Sequence, residues 1–537
     1  MYGKWDILLK DGYIVDGTGQ KGWQGSLLIS EDRIKELPRE EIDGDYETID
    51  CSGKVIAPGF IDAHSHNDWY LPLEDAEQFT NPFIRQGITT FIGGNCGFGA
   101  SGFQKNTKYL REICNNPFKS DLKIRWSSMG DYFGVLEKSG LTANLACLAG
   151  HGTARTSLRG YDPSVMSKEE MKEMLKLLDE AMDDGAKGVS IGLQYEPGIF
   201  SGMDELKEVA RLVKKRDKIL TTHARASSCV SGTYPIKPFG KPHNILALKD
   251  MIQLARETGV RLQYSHFIFV GERTWSTFEE SMEIVDKALS EGIDFKFDIY
   301  AYPCGGSVIS VVLPEWFMAK APKSYRSKSD LTRLHLEMSA IKRMVGFGYE
   351  DIQITYIDDP ELKKFNGRFI TDIAGELGLP LFETFMLFVE RSEGKARVIQ
   401  YKFFDQHILE AQMKHPASIF MTDAWVEKAG VQNPASFGCF PKFLQLSNEN
   451  EILTLEEAVH KMTKAAADRF NIRDRGVLKK GNAADITVFN WSKVRDNTSR
   501  ARTDMAPSGI EHVLINGSWA LRDGALCKGD RFGVILR

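Results

Sequence analysis

Two histidines separated by one residue, His64 and His66, follow the apolar segment that starts at Val55. Side chains two residues apart on an extended strand point to the same side, so both imidazoles would project from the carboxyl end of one strand. Neutral imidazoles are good ligands for zinc and similar ions. The spacing therefore predicts part of a metal site, although alone it also fits two unrelated polar histidines at the end of a strand.

Other residues that could bind a metal follow other predicted strands. Cys96 lies in GNCG, His223 ends TTH, His266 ends YSH and Asp423 ends MTD. Each one alone has a simpler explanation, such as a packed thiol, a hydrogen-bonded core histidine or a helix cap. Together with His64 and His66 they would come from five different strands, and this shared placement indicates metal binding. His151 is the other histidine at a predicted strand end.

The mixture of nitrogen, sulfur and oxygen donors favours zinc over magnesium or calcium, which prefer oxygen ligands. A catalytic zinc keeps one position open for water and lowers the pKa of that water to about 7. Hydroxide could then attack an amide or ester carbonyl, while Asp423 takes up a proton and returns it to the leaving nitrogen. The residues therefore predict a hydrolase that uses one or two zinc ions.

Such a site needs a scaffold in which several strand ends meet. After the opening strand within 55–67, apolar strands are predicted at 89–93, 144–149, 188–193, 219–223, 261–266, 295–300 and 418–423. Helices are predicted between them, one starting at a capping box formed by Ser167 and Glu170, and a further helix at Thr454 to Phe470. Eight apolar strands alternating with amphipathic helices predict an α/β fold, a closed (β/α)8 TIM-like barrel. Catalytic residues of such barrels lie at the carboxyl ends of the strands.

The two ends of the chain differ from its middle, because they contain short strands and tight turns such as Asp11-Gly12 and Asn516-Gly517. We therefore predict that residues 1–57 and 475–537 together form a small β-sandwich domain, and that residues 58–474 form the barrel. The span between the seventh and eighth strands is far longer than one crossover needs. An insertion is predicted there, at about 305–415, before the last barrel strand.

Composition and charge exclude several other classes of protein. With 42% hydrophobic and 26% charged residues the chain is globular, and its net charge of -5 provides no basic surface for nucleic acid or anionic lipid. The sequence has neither a signal-peptide pattern nor an apolar run long enough to span a membrane. Eight scattered cysteines without CxxC pairs predict reduced thiols and a cytoplasmic protein. The oligomeric state stays open, with a homo-oligomer as one option.

The chain resembles the metal-dependent amidohydrolases of the D-aminoacylase (N-acyl-D-amino-acid deacylase) branch nearly from end to end. The motifs that carry this resemblance are DGTG at 16–19, APGFIDAHSH at 57–66, GNCG at 94–97, GHGT at 150–153, GLQYEPG at 192–198, SH at 265–266, DIYAY at 298–302, TD at 422–423 and RGVLKKGNAADITVF at 475–489. The resemblance implies a barrel hydrolase that acts on a small-molecule amide.

The resemblance also implies roles for individual residues. His64 and His66 would serve one metal position, and Cys96, His223 and His266 the other, with Cys96 in the bridging place that a carboxylated lysine occupies in many relatives. Asp423 would be a metal ligand and the proton shuttle, and Tyr195 would polarise the scissile carbonyl. Arg225, Tyr302 and Ser307 are the expected contacts to the substrate.

Two departures from the branch concern the substrate. The basic residues expected at two positions are replaced by Ile268 and Ala435, which by resemblance removes two contacts to a substrate carboxylate. We therefore predict hydrolysis of an N-acyl amino acid or a related, less anionic N-acyl compound. Two alternatives stay open, namely a cyclic amide hydrolase similar to dihydroorotase or hydantoinase, and a non-catalytic binding protein with the same fold.

Overall fold

The computed structural model describes residues 6–40, 44–116, 122–235, 237, 240–529 and 531–537. Residues 1–5, at the start of the predicted terminal domain, lie outside these ranges. Within them, no helix combines the length and the apolar character needed to cross a membrane.

Parallel strands form the centre of the molecule. One sheet contains Phe60–Asp62, Ile88–Gly93 and Asn144–Cys147, and a second contains Ala149–Gly150, Gly188–Gly192, Ile219–His223, Arg261–Tyr264, Phe295–Ile299 and Ser418–Phe420. Two backbone hydrogen bonds join the sheets, from Lys187 N–H to the Cys147 carbonyl at 2.8 Å and from Asp423 N–H to the His64 carbonyl at 3.0 Å. Because these bonds lie at opposite edges, the strands close into a barrel.

Several barrel strands are shorter than predicted. The third ends at Cys147, and only Ala149–Gly150 continues the pairing, whereas the sixth ends at Tyr264 and the eighth at Phe420. His266 and Asp423 have positive φ angles of 33° and 48°, a left-handed conformation that cannot continue an extended ladder. The chain therefore leaves the strand just before these two residues.

Helices surround the barrel and also fill the insertion. They cover Ala76–Ile84, Leu110–Cys114, Met129–Ser139, His151–Arg159, Lys168–Asp183, Met203–Lys215, His243–Thr258, Phe278–Ser290, Glu315–Met318, Lys328–Val345, Ile370–Leu377, Leu381–Arg391, Gln406–Lys414, Ala435–Glu449, Leu455–Met462 and Lys464–Arg469. The Ser167–Glu170 capping box is present. The continuous helix predicted from Thr454 to Phe470 was wrong, because Thr463 has non-helical backbone angles and separates two shorter helices.

Strands from both ends of the chain share one nine-stranded sheet. Its members are Ile7–Ile14, Trp23–Ser30, Arg33–Glu36, Glu47–Asp50, Val55–Pro58, Ile486–Phe489, Ile510–Ile515, Ser518–Arg522 and Ala525–Leu526. A bulge between Leu9 and Gly12 lets the first strand pair with Glu47–Asp50 along one half and with Val55–Pro58 along the other. The two ends of the chain thus pair in one sheet, and its arrangement as a small β-sandwich stays a prediction.

The insertion before the last barrel strand contains a separate three-stranded sheet. Cys304–Val308, Ile352–Tyr356 and Arg397–Tyr401 make an antiparallel sheet, with the Arg397–Tyr401 strand in the middle. A separate apolar core, which includes Phe317, Phe385 and Phe388, packs beneath it. The insertion contributes residues to the cavity at the mouth of the barrel.

A buried carboxylate joins the terminal sheet to the barrel. Asp485 accepts hydrogen bonds from the Asn516 backbone N–H at 2.7 Å, from Asn144 Nδ2 at 2.8 Å and from Arg475 Nε at 2.8 Å. Asn144 belongs to the third barrel strand, and the Arg475 and Asp485 side chains are both buried. Asp485 therefore connects three segments that are distant in the sequence.

We expect Asp485→Ala to lower the free energy of unfolding by about 3–5 kcal/mol, because it leaves a buried guanidinium and a buried amide without their acceptor. Urea denaturation followed by circular dichroism measures this loss. Asp474→Ala is the matched control, because Asp474 also pairs with Arg475 but is partly exposed, and it should cost less than about 1 kcal/mol. Equal losses in the two variants would contradict the prediction.

Candidate metal centre and active site

Cys96 lies at the centre of a group of buried metal-binding side chains at the carboxyl ends of the strands. Its Sγ atom is 3.3 Å from His64 Nε2, 3.6 Å from His266 Nε2 and 3.7 Å from His223 Nδ1. The two later histidines lie close together, with 2.9 Å between His223 Nδ1 and His266 Nε2. Histidines predicted from three separate strands thus surround the thiol that follows a fourth.

Asp423 completes the cluster from the eighth strand. Its Oδ1 atom is 3.4 Å from the Nε2 atoms of both His64 and His66. The donor atoms of His64, His66, Cys96 and Asp423 all lie within 4.8 Å of one another, and so do those of Cys96, His223 and His266. All six predicted ligands are therefore brought together in two groups that share the cysteine.

The donor set fits zinc. Thiolate, imidazole and carboxylate are the ligands that zinc uses in proteins, and a group of three protein donors leaves a position for water or substrate. The two groups, which share the Cys96 thiol, would hold one zinc ion or two.

Three of these residues adopt strained backbone conformations. Cys96, His266 and Asp423 have φ angles of 54°, 33° and 48°, in a left-handed region that costs non-glycine residues about 1–3 kcal/mol each. Hydrogen bonds hold two of them in place, because His266 N–H donates to Asp298 Oδ1 at 2.6 Å and Asp423 N–H donates to the His64 carbonyl. Such strain is typical of functional sites.

Two buried carboxylates, Asp298 and Asp62, form hydrogen bonds close to the candidate ligands. Asp298 also accepts a hydrogen bond from Gln263 Nε2 at 2.8 Å, and its Oδ1 lies 3.7 Å from His64 Nδ1. Asp62 accepts hydrogen bonds from the Thr422 backbone N–H and hydroxyl at 2.9 and 2.6 Å. Asp62 is the last residue of the first strand, and its bonds to Thr422 connect it to the segment that directly follows the eighth strand.

Three of the four histidines have the protonation that metal binding needs. Burial, together with the neighbouring histidines, holds the pKa of His66 and of His223 well below the usual value and lowers the pKa of His266 to about 3, so these imidazoles are neutral.

For His64, burial lowers the pKa, but Cys96, Asp423 and Asp298 outweigh that effect and hold the pKa well above the usual value, so His64 would lose a proton when a cation binds. Burial raises the pKa of the Asp423 carboxyl to about 7 and that of the Cys96 thiol to about 11. A bound cation would lower both of these values and favour the thiolate.

Gln194, which the sequence analysis did not select, orients one of the ligands. Its Oε1 is 3.0 Å from His223 Nε2, so this nitrogen carries the hydrogen and donates to Gln194. The Nδ1 lone pair of His223 then faces Cys96 and His266, as a metal ligand requires. Gln194 could have been found from the sequence, because it directly precedes Tyr195 in the motif GLQYEPG.

We expect Gln194→Met to weaken zinc binding by about 10–100-fold, because the imidazole loses the acceptor that fixes its tautomer. Competition with a zinc-binding dye measures the affinity. Gln194→Glu, which keeps an acceptor, should bind zinc at least as tightly as the wild-type protein. If both variants bind zinc equally weakly, a general loss of packing is the cause and the tautomer argument fails.

Only two of the four residues predicted to contact the substrate or its carbonyl line the cavity. Tyr195 and Ser307 both line the cavity in front of the metal-binding cluster, and the Tyr195 ring packs on His223 with 4.5 Å between ring centroids. The Arg225 guanidinium donates instead to the Ile199 and Ser201 carbonyls, at 2.9 and 2.7 Å, and holds the loop that follows Tyr195. Tyr302 also points elsewhere, since its hydroxyl is 3.1 Å from Thr498 Oγ1.

Other residues line the cavity without having been predicted. Tyr300, two positions before Tyr302, occupies the wall, together with Gln400 and Phe403 from the insertion. A segment at 227–233 forms another side and carries several hydroxyl groups. His151 lies outside both donor groups, because its Nε2 pairs with Glu205 Oε1 at 2.7 Å.

Comparisons with known proteins agree with this architecture. The chain is 28% identical over 522 residues to an N-acyl-D-glutamate deacylase of Alcaligenes xylosoxydans xylosoxydans, which covers 96% of this chain and 94% of the relative. It is 27% identical over 538 residues to a D-aminoacylase of the same organism, over 99% of this chain and 97% of the relative. These relatives confirm the predicted resemblance to the D-aminoacylase branch.

Solved structures agree as well. The structure of an N-acyl-D-glutamate deacylase from Bordetella bronchiseptica, complexed with zinc and a phosphonate mimic of the tetrahedral intermediate, superposes with a TM-score of 0.81, 26% identity and coverage of 99% and 100% of the two chains. A D-aminoacylase structure superposes with a TM-score of 0.80 at 24% identity, over 99% of each chain. The predicted barrel fold is thereby confirmed.

A family model supplies the classification. The model of the amidohydrolase family matches residues 47–232 and 416–519, which make up more than half of the chain. These two segments carry the first to fifth and the eighth barrel strands, and with them five of the six metal-binding side chains described above. By this match, and in agreement with its fold and its predicted enzyme class, the chain belongs to the amidohydrolase family.

Proposed function

We propose that this protein is a zinc-dependent hydrolase that cleaves the linear amide bond of an N-acyl amino acid or of a related, less anionic N-acyl compound. The observation that carries the proposal is the pair of donor groups that share Cys96, with the Asp423 carboxylate beside His64 and His66. Support comes from relatives named as N-acyl-D-glutamate deacylase, D-aminoacylase and N-acyl-D-aspartate deacylase.

His64, His66, Cys96, His223, His266 and Asp423 would hold the zinc. When bound, zinc supplies a Lewis acid that polarises the amide carbonyl and makes hydroxide available near neutral pH. Asp423 takes the proton of the attacking water and returns it to the amide nitrogen, so that the carbon–nitrogen bond breaks and a neutral amine leaves. Tyr195 lines the cavity beside His223, and its hydroxyl would donate a hydrogen bond to the carbonyl oxygen.

The structure favours this function over the two alternatives. Hydantoinase structures superpose with TM-scores near 0.54 at 14–15% identity, which is a likeness of fold alone. A cysteine, where many relatives are expected to carry a carboxylated lysine, joins the two donor groups here. A non-catalytic protein would have no need for six converging candidate ligands that include an aspartate able to shuttle protons.

The deciding experiment measures deacylation with and without zinc. The protein is stripped by a chelator, reloaded with zinc and incubated with N-acetyl and longer N-acyl derivatives of D- and L-amino acids, their carboxamides, dihydroorotate and hydantoin. We expect release of the acyl group from linear substrates, lost on stripping and restored by zinc. Hydrolysis of the cyclic compounds alone, or of none, would refute the proposal.

We also propose that the protein is cytoplasmic and acts on small molecules without nucleic acid or membrane partners. None of its eight cysteines forms a disulfide, as expected in a reducing compartment. Fractionation of cells and a redox-state assay of the thiols would test the location, and a disulfide-bonded secreted form would contradict it.

A further inference from the structure

The substrate cavity has no counter-ion for a carboxylate. Among the residues that the structure describes, no lysine or arginine lines it, and its titratable side chains are Asp423, two tyrosines and the imidazoles of His223 and His266. Ile268 occupies the wall two residues after His266. A carboxylate that entered here would lose its hydration without meeting a cation other than the metal, which is costly.

Three cations near the cavity are engaged elsewhere. The Arg225 guanidinium donates to two backbone carbonyls, and Lys342, next to the wall residue Ile341, bonds Glu350 at 2.8 Å. Lys402, next to Phe403, lies 3.3 Å from both Glu272 and Asp351. None of these cations could turn into the cavity without leaving a partner unpaired.

Apolar residues of the insertion form one wall of the same cavity. They are Val311, Val312, Leu313, Ile341, Val345 and Phe347, with Val270 beside them. Such a surface gains from contact with aliphatic or aromatic groups, at roughly 25 cal/mol for each Å² removed from water.

One neutral hydrogen-bonding group faces the same cavity. Gln400 lines it, is 95% buried, and its Nε2 has no hydrogen-bond partner among the described residues. A buried amide without a partner is costly unless a ligand completes it. The side chain is uncharged, so it suits a neutral carbonyl oxygen in the substrate.

We propose that the substrates are N-acyl compounds whose end beyond the scissile amide is uncharged, with a carbonyl oxygen that accepts from Gln400 and an aliphatic or aromatic group that packs on the insertion. N-acyl derivatives of apolar amino acid amides represent this class. The inference rests on the proposed function, because it names the substrate of that same site.

The test compares matched substrates in the zinc-loaded enzyme. N-acetyl-D-leucine and N-acetyl-L-leucine are assayed against their carboxamides, and only released acetate is counted, so that loss of the terminal amide does not contribute. We expect kcat/KM for the better carboxamide to exceed that of its free acid by about tenfold or more. An equal or faster reaction of the acid overturns this inference and leaves the proposed function intact. Absence of acetate from every compound overturns both.

Two variants show whether the cavity causes the preference. Ile268→Lys adds a cation to the wall and should shift the acid-to-carboxamide ratio of kcat/KM towards the acid by about tenfold or more, whereas Ile268→Met should keep the ratio of the wild-type enzyme. Gln400→Leu should reduce kcat/KM for the carboxamide several-fold more than that for N-acetyl-isopentylamine, which lacks the second carbonyl. If the ratio does not move in a folded, zinc-loaded Ile268→Lys protein, the inference is wrong.

Discussion

Asp423→Asn is expected to lower kcat by about 10²–10⁴-fold while the protein stays folded. The amide keeps the size of the carboxylate but cannot accept the proton of the attacking water or return it to the leaving nitrogen. Because an amide nitrogen is a poor leaving group until it is protonated, the chemical step itself is slowed. The Asp423 carboxylate lies beside His64 and His66, so the variant could also bind one zinc more weakly.

Single-turnover kinetics at saturating zinc separate these two effects. If proton transfer is the main role, the rate stays low when extra zinc restores full occupancy. Asp204→Asn is the matched control, because Asp204 is exposed on the helix Met203–Lys215, away from the cavity. Turnover within threefold of the wild-type rate in a folded Asp423→Asn protein would remove Asp423 from the mechanism.

The convergence of the six candidate ligands could be predicted because the barrel constrains where they lie. The carboxyl ends of parallel strands meet at one rim, so a residue at a strand end must lie near the others whatever the intervening loops do. The first strand ends at Asp62, so alternation along it does not extend to His64 and His66, yet both Nε2 atoms lie 3.4 Å from Asp423 Oδ1. The argument from the strand ends needs no knowledge of long-range packing, and all six ligands lie together as expected.

The substrate residues were harder to predict because they follow the strand ends. Beyond Ile299 the chain no longer alternates regularly, so Tyr300 lines the cavity while Tyr302 contacts Thr498 near the carboxyl terminus. Arg225 likewise follows a strand closely, yet its guanidinium is used by the backbone of a neighbouring loop. Such choices depend on partners that are distant in the sequence.

The insertion shows the same limit on a larger scale. Its position was clear from the length between two strands, but its three-stranded sheet and separate core depend on contacts within the segment itself. Both the barrel and the insertion line the cavity. The barrel contributes candidate metal ligands, and the insertion contributes most of the apolar wall. Under the proposed function, the chemistry would depend on the barrel, and the selectivity on the insertion together with barrel-loop residues such as Ile268.

Cys96→Ala should reduce zinc affinity by more than about 100-fold, since it removes the one donor that both groups share, and loss of even an outer contact to a ligand typically costs 10–100-fold. The two remaining sets, one with His64, His66 and Asp423 and the other with His223 and His266, would no longer be joined. Elemental analysis after dialysis measures the bound zinc, and deacylation should be lost with it. Cys114→Ala is the matched control, because Cys114 lies outside both donor groups.

Thermal unfolding gives a readout that does not depend on the substrate. Zinc that binds the folded state stabilises it by about 2.7 kcal/mol at a concentration 100 times its Kd, so the wild-type and Cys114→Ala proteins should unfold at a higher temperature when zinc is added. Cys96→Ala should show little of this increase at the same concentration. Alanine keeps the Cβ atom, so the backbone strain at the φ of 54° is the same in this variant as in the wild-type protein. If Cys96→Ala keeps the full zinc-dependent increase, the prediction is wrong. The remaining imidazole and carboxylate donors would then be sufficient for zinc binding, and the thiol would not be needed to join the two groups.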